Sequence, residues 1–126
     1  EPVTVDEDLS LQSVAHILAK FRISGIPVVD SEGALKGIIT ATDLLTRVKT
    51  ILRDIDDKKD PGREVQLRVK EVMTQPVVSI AESQLLYEAA KIMSEKNIHT
   101  LPVTRNGKMV GVIGRRDILH VVYGLQ

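Results

Sequence analysis

Two stretches of this chain carry the same phrase. Gly25 to Leu45 reads GIPVVDSEGALKGIITATDLL and His99 to Leu119 reads HTLPVTRNGKMVGVIGRRDIL, with apolar runs, turn residues and a late aspartate at matching places. Such a repeat constrains architecture more than any local propensity, because both copies must form one supersecondary unit and bury its apolar face. Pro27 pairs with Pro102, 75 positions on, and the same offset joins Val3 to Val78, Leu11 to Leu86, Ala15 to Ala90, Ile17 to Ile92 and Ile23 to Ile98. Past a one-residue difference in the turn, an offset of 74 joins Gly33 to Gly107, Gly37 to Gly111, Ile39 to Ile113, Asp43 to Asp117 and Leu45 to Leu119.

Each copy can be read by its period. Pro2 to Val5 and Val77 to Ile80 are short β-branched segments, expected as strands. Leu11, Val14, Ala15, Leu18 and Phe21 recur at helical spacing, as do Leu86, Ala89, Ala90 and Met93, so a helix with one apolar stripe follows in each copy, the first capped by Asp8 or Ser10. IPVV or LPVT, a polar turn (DSEG or TRNG) and LKGIIT or MVGVIG then predict a β-hairpin, with Asn106-Gly107 the stronger turn signal. A last helix opens at Asp43 or Asp117. The unit is β-α-β-β-α written twice, an α/β fold of the α+β kind. One such unit has a sheet too small to bury its helices, so the copies are expected to pack sheet to sheet about a pseudo-two-fold axis. Between them, Thr46 to Lys70 reads as a helix extension ending in an exposed polar loop, RDIDDKKDPGRE.

Composition narrows the function. Hydrophobic residues make up 43% of the 126, enough for one core, but aromatic residues only 2%, which leaves no base-stacking platform. Seventeen basic residues balance seventeen acidic ones, so the electrostatic footprint of a nucleic-acid binder is missing and nucleic acid is not an expected partner. Without cysteine there is no disulfide framework or thiolate metal site, which points to a reducing, cytoplasmic setting. No apolar run approaches the roughly 18 residues that cross a bilayer, so no membrane span is expected. His16, His99 and His120 fall on different elements without metal-ligand spacing, and the charged run Asp54 to Asp60 reads as a solvated face rather than a cation site. No nucleophile elbow and no Gly-rich phosphate loop occurs, so no catalytic residue is assigned.

VKEVMT at Val69 to Thr74, the helix LLYEAAKIMSEKNI leading into HTLPV, and the endings GIITATD and GVIGRRD together resemble a tandem pair of CBS domains, the Bateman module. The resemblance covers nearly the whole chain and implies the CBS-domain fold, with a first repeat over 1–48, a connecting helix extension and polar loop over 49–68, and a second repeat over 69–126. Nothing before Glu1 matches Val69 to Gln75, which suggests a piece of something longer. The family implies a non-catalytic sensor with no required cofactor. Clefts between its repeats bind an adenosine-containing ligand such as AMP, ADP, ATP, S-adenosylmethionine or NADH, and occupancy controls an attached or partner protein. It also implies a homodimer shaped as a flat disc. A purely structural dimerisation module without ligand is the alternative.

The residues supply chemistry for such a site. An ionised carboxylate can accept from both vicinal hydroxyls of a ribose, and Asp43 and Asp117 stand where the resemblance places that carboxylate. Thr40 and Thr42 add hydroxyls in the first copy. Thr40 followed by Asp43 is equally a helix cap with an acidic residue in the first turn, which needs no ligand. In the second copy Gly114 replaces the threonine, while Arg115 and Arg116 replace Ala41 and Thr42 and offer planar donor forks to phosphate oxygens. The first cleft is therefore expected to have the better hydroxyl set and the second the better anion contact. For the base, the resemblance points to Ser24, Gly25, Ile26 and Pro27 in one copy, His99, Thr100, Leu101 and Pro102 in the other, and Thr4 and Ser79 on the opening strands. Core packing is the competing role for the aliphatic members.

Overall fold

A computed structural model describes residues 3–56, 67–84 and 86–124. The two expected repeats are both present. In chain order they contain β1 (Val5–Asp6), α1 (Leu11–Phe21), β2 (Gly25–Val29), β3 (Leu35–Thr40) and α2 (Ala41–Asp56), then β4 (Ile80–Ala81), α3 (Leu86–Glu95), β5 (Thr100–Arg105), β6 (Lys108–Gly114) and α4 (Arg115–Tyr123). A short 3₁₀ turn, Val69–Glu71, precedes β4. The opening strands start later than the β-branched runs suggest, at Val5 and Ile80; Pro2 and residues 57–66, where an exposed polar loop is expected, lie outside the described residues.

Each repeat builds one three-stranded sheet, β1-β2-β3 or β4-β5-β6, whose first pair is parallel and second antiparallel. The registers are copies: Val5 faces Val28 as Ile80 faces Val103, and a bulge interrupts the hairpin after Val28 and again after Val103. Ser10 caps α1, its hydroxyl accepting from the Ser13 N–H at 3.2 Å. Helix α1 turns its Leu11, Val14 and Leu18 stripe inward, and α3 does the same with Ala89 and Met93. At the hairpin tips the two repeats diverge. Asp30 holds the first, longer turn by accepting from Glu32 and Ala34 N–H groups at 2.9 and 3.0 Å, bonds that also pull its carboxyl below the ordinary aspartate value. Asn106-Gly107 makes the second in two residues, both at positive φ as a type I′ turn demands.

The core is in two pieces. Val5, Leu11, Val14, Leu18, Ile26, Val28 and Ile39 form one, Ile80, Ala89, Met93 and Leu101 the other. Leu67 and Val69, which lead into the second repeat, pack into the first repeat's cluster. Backbone bonds hold them there: the Leu11 N–H donates to the Leu67 carbonyl at 3.1 Å and the Val69 N–H to that of Leu9 at 2.9 Å. Further on, Ile38 and Thr74 exchange two backbone bonds of 3.2 and 2.8 Å. No described residue that is polar or charged is buried, and no helix among the described residues is long and apolar enough to cross a membrane.

The approach of Thr74 to β3 needs a glycine. A Cβ on Gly37 would stand 2.8 Å from Met73 Sδ and 2.9 Å from the Thr74 carbonyl, whereas one on its repeat counterpart Gly111 would meet nothing within 4 Å. Gly37→Ala is therefore expected to destabilise by about 1–3 kcal/mol through backbone displacement. Gly111→Ala should change stability by no more than about 0.5 kcal/mol. Chemical denaturation of the two variants checks this; equal effects would mean that the segment does not lie on β3 as described.

Candidate functional site

The end of each sheet away from its hairpin tip is where the chain leaves β3 or β6 for the last helix. In the first repeat that junction is closed by its own side chains. The Thr40 N–H donates to Asp43 Oδ2 at 2.9 Å and the Asp43 N–H to Thr40 Oγ1 at 3.1 Å, a reciprocal capping box that fixes the carboxylate over the first turn of α2. The Ala41 N–H goes to the Ser24 carbonyl at 2.8 Å, tying the helix start to the start of β2. The capping role weighed for Thr40 and Asp43 is thus realised, and it leaves the pair half-buried beside open space.

That space is a cavity of about 350 Å³ between the repeats. The first repeat contributes Ser24, Gly25, Ile38, Thr40, Ala41 and Thr42; the segment before β4 contributes Thr74, Pro76, Val77 and Val78; the second repeat closes it with Asn97, Ile98, His99 and Thr100. Five hydroxyls, one amide and one imidazole stand among apolar walls, the balance expected of a small-molecule site. Asp43 adjoins it through Thr74, whose hydroxyl donates to the carboxylate at 3.2 Å from Oδ1 and 3.4 Å from Oδ2. A carboxylate has about four lone-pair sites, so Asp43 keeps capacity for further hydroxyl donors.

Of the residues singled out from sequence, Ser24, Gly25, Thr40, Thr42, His99 and Thr100 come together on this cavity, with Asp43 next to them. Ile26, Pro27, Leu101 and Pro102 do not line it: they are fully buried, with Ile26 and Leu101 in the two core clusters. Thr4 and Ser79 stay outside it because the lining falls just ahead of the strand, on Pro76 to Val78. Asp117 repeats half of the capping box, accepting from the Gly114 N–H at 2.6 Å, but Gly114 has no hydroxyl to return. Arg115, Arg116 and Asp117 are exposed and do not line the described cavity. Ile38, Ala41, Thr74, Pro76, Val77, Val78, Asn97 and Ile98 were not anticipated. Thr74 stood inside VKEVMT, and Asn97 carries the positive φ of a helix C-terminus, so a signal existed for each. No group of metal-ligating side chains occurs among the described residues, and the side chains of the run Asp54 to Asp60 lie outside them.

Comparison with known proteins agrees with this architecture. The family model for the CBS domain matches residues 1–50 and 69–124. An uncharacterised protein of Methanocaldococcus jannaschii is 35% identical over 96% of the chain, and inosine-5'-monophosphate dehydrogenase of Mycobacterium leprae is 36% identical over 94% of it. The chain spans only 36% of the former's length and 20% of the latter's. Among solved structures, the CBS domain pair of protein MJ0100, in complex with 5'-methylthioadenosine and S-adenosyl-L-methionine, is 28% identical with a TM-score of 0.74, covering 98% of this chain and 90% of that one. With the duplicated β-α-β-β-α unit and two matched segments, the chain belongs to the CBS-domain family as a tandem pair of CBS domains.

Proposed function

We propose that this CBS pair is a ligand-sensing regulatory module that binds an adenosine-containing ligand in the cleft between its repeats and controls an attached or partner protein without catalysing a reaction. The observation that carries this reading is the Asp43 carboxylate, held by the Thr40 N–H and the Thr74 hydroxyl, at the edge of a mostly apolar cavity that Thr40 also lines. A ribose offers two vicinal hydroxyl donors to the carboxylate, and the walls of Ile38, Pro76, Val77 and Ile98 suit a purine face. The adenosyl ligands of the MJ0100 pair support the ligand class. AMP, ADP, ATP and S-adenosylmethionine are the first to try. Arg115 and Arg116 with Asp117 would serve a second cleft of different charge.

A thermal-shift panel of AMP, ADP, ATP, S-adenosylmethionine and NADH is expected to raise the melting temperature with at least one member, by about 2.7 kcal/mol of added stability at a hundredfold excess over Kd. No shift at millimolar concentration would overturn the reading. For the ligand that binds, Asp43→Ala should weaken affinity about tenfold or more, because hydrogen bonds to an ionised carboxylate are among the stronger ones. Asp117→Ala should cost the first cleft far less. Equal affinity of wild type and Asp43→Ala by calorimetry would reduce Asp43 to its capping role.

The pair is also proposed to act as a homodimer through its last helices. Leu45, Val48 and Leu52 leave an exposed apolar stripe on α2, and Leu119 and Val122 repeat the start of that stripe on α4. The same surface would serve the alternative of a structural module without ligand. Light scattering should find a dimer that the Leu45→Glu, Leu119→Glu double variant converts to monomer. A monomeric wild type, or a dimeric variant, would contradict this.

A further inference from the structure

We infer that the two hairpin tips clasp each other as a fixed pivot, so that motion of one repeat against the other is confined to the cleft end of the sheets. The Met109 N–H donates to the Gly33 carbonyl at 3.2 Å, and the Leu35 N–H to the Gly107 carbonyl at 3.1 Å. Both pairs are related by the 74-residue offset of the repeat, so each tip gives and takes one bond. Ala34 and Lys108 face each other between those bonds as an antiparallel bridge. Gly33 and Gly107, which supply the two accepting carbonyls, both have positive φ, +85° and +80°.

The surroundings show why the clasp acts as a pivot rather than as one contact among many. The repeats have separate apolar clusters, so each can move as a body. No backbone hydrogen bond joins β2 to β5 among the described residues, although the two strands lie next to each other at that end. Strand β3 runs from the tip at Leu35 to the cavity at Thr40. At about 3.3 Å per residue the lining residue Thr40 lies about 17 Å along the strand from the clasp, so a rotation of about 6° there moves that wall by about 2 Å. Small closures around a bound molecule thus become a change of angle between repeats, while the tips stay joined. The clasp stands without any ligand; only its use in signalling rests on the adenosyl-ligand reading.

Two measurements test it. In the free protein, the Leu35 and Met109 amides should exchange with solvent at least about tenfold more slowly than the exposed turn amides of Ser31 and Asn106. Equal rates would overturn the clasp. The chain has no cysteine, so Ala34→Cys with Lys108→Cys places two thiols on a closely spaced, non-hydrogen-bonded pair suited to a disulfide. The oxidised variant should form that bond readily and bind AMP with a Kd within about twofold of its reduced form. Failure of the disulfide to form, or a loss of affinity of about tenfold or more on oxidation, would show that the tips must part and would overturn the pivot. If AMP binds neither form, the adenosyl reading fails, and amide exchange decides the clasp on its own.

Discussion

The cleft depends on one backbone pairing, the two bonds by which Ile38 and Thr74 hold the inter-repeat segment against β3. Gly37 makes that approach possible by lacking a Cβ where Met73 and Thr74 pass. Once the segment is seated, Leu67 and Val69 fill the first repeat's interior, Thr74 reaches Asp43, and Pro76 to Val78 become a wall of the cavity. Fold and site are thus joined through the same few residues. A segment grouped by sequence with the second repeat completes the core of the first, so the boundary between the two packed bodies falls after Thr74.

Much of this was legible in the sequence, for reasons that can be named. The offset of 75 and then 74 exposed the repeat because the copied positions are those where packing and turns leave little choice: Pro27 and Pro102 inside the strands, Gly33 and Gly107 at positive φ. The cap at Thr40 and Asp43 was readable because it is local. What escaped is what only tertiary pairing creates. Val77 and Val78 look like strand residues, yet β4 starts at Ile80 and leaves them to line the cavity. Ile26, Pro27, Leu101 and Pro102 neighbour the cavity in sequence but sit in strand stretches buried on both faces, so no two-residue period separates lining from core.

The repeats are alike in backbone and unlike in chemistry. Thr40 gives the first junction a hydroxyl and a complete capping box, while Gly114 gives the second only the aspartate's half. Gly37 is crowded and its counterpart Gly111 is not, so the two sheets also differ in what lies against them. A duplicated fold with diverged junctions gives the proposed sites unequal chemistry, hydroxyls at the first junction and Arg115 and Arg116 at the second. The exposed stripes on α2 and α4 lie on the helices that start at those junctions, so a change of angle at the cleft would be carried to the surface proposed for dimerisation.

The central claim is that the cavity between the repeats is where an adenosyl ligand binds. A heteronuclear NMR titration with AMP tests it most directly. The account predicts saturable shift changes centred on Ser24, Thr42, Thr74 and His99, which surround the cavity from both repeats. Changes centred instead on the exposed faces of α2 and α4, or a spectrum unaltered by millimolar AMP and S-adenosylmethionine alike, would contradict it.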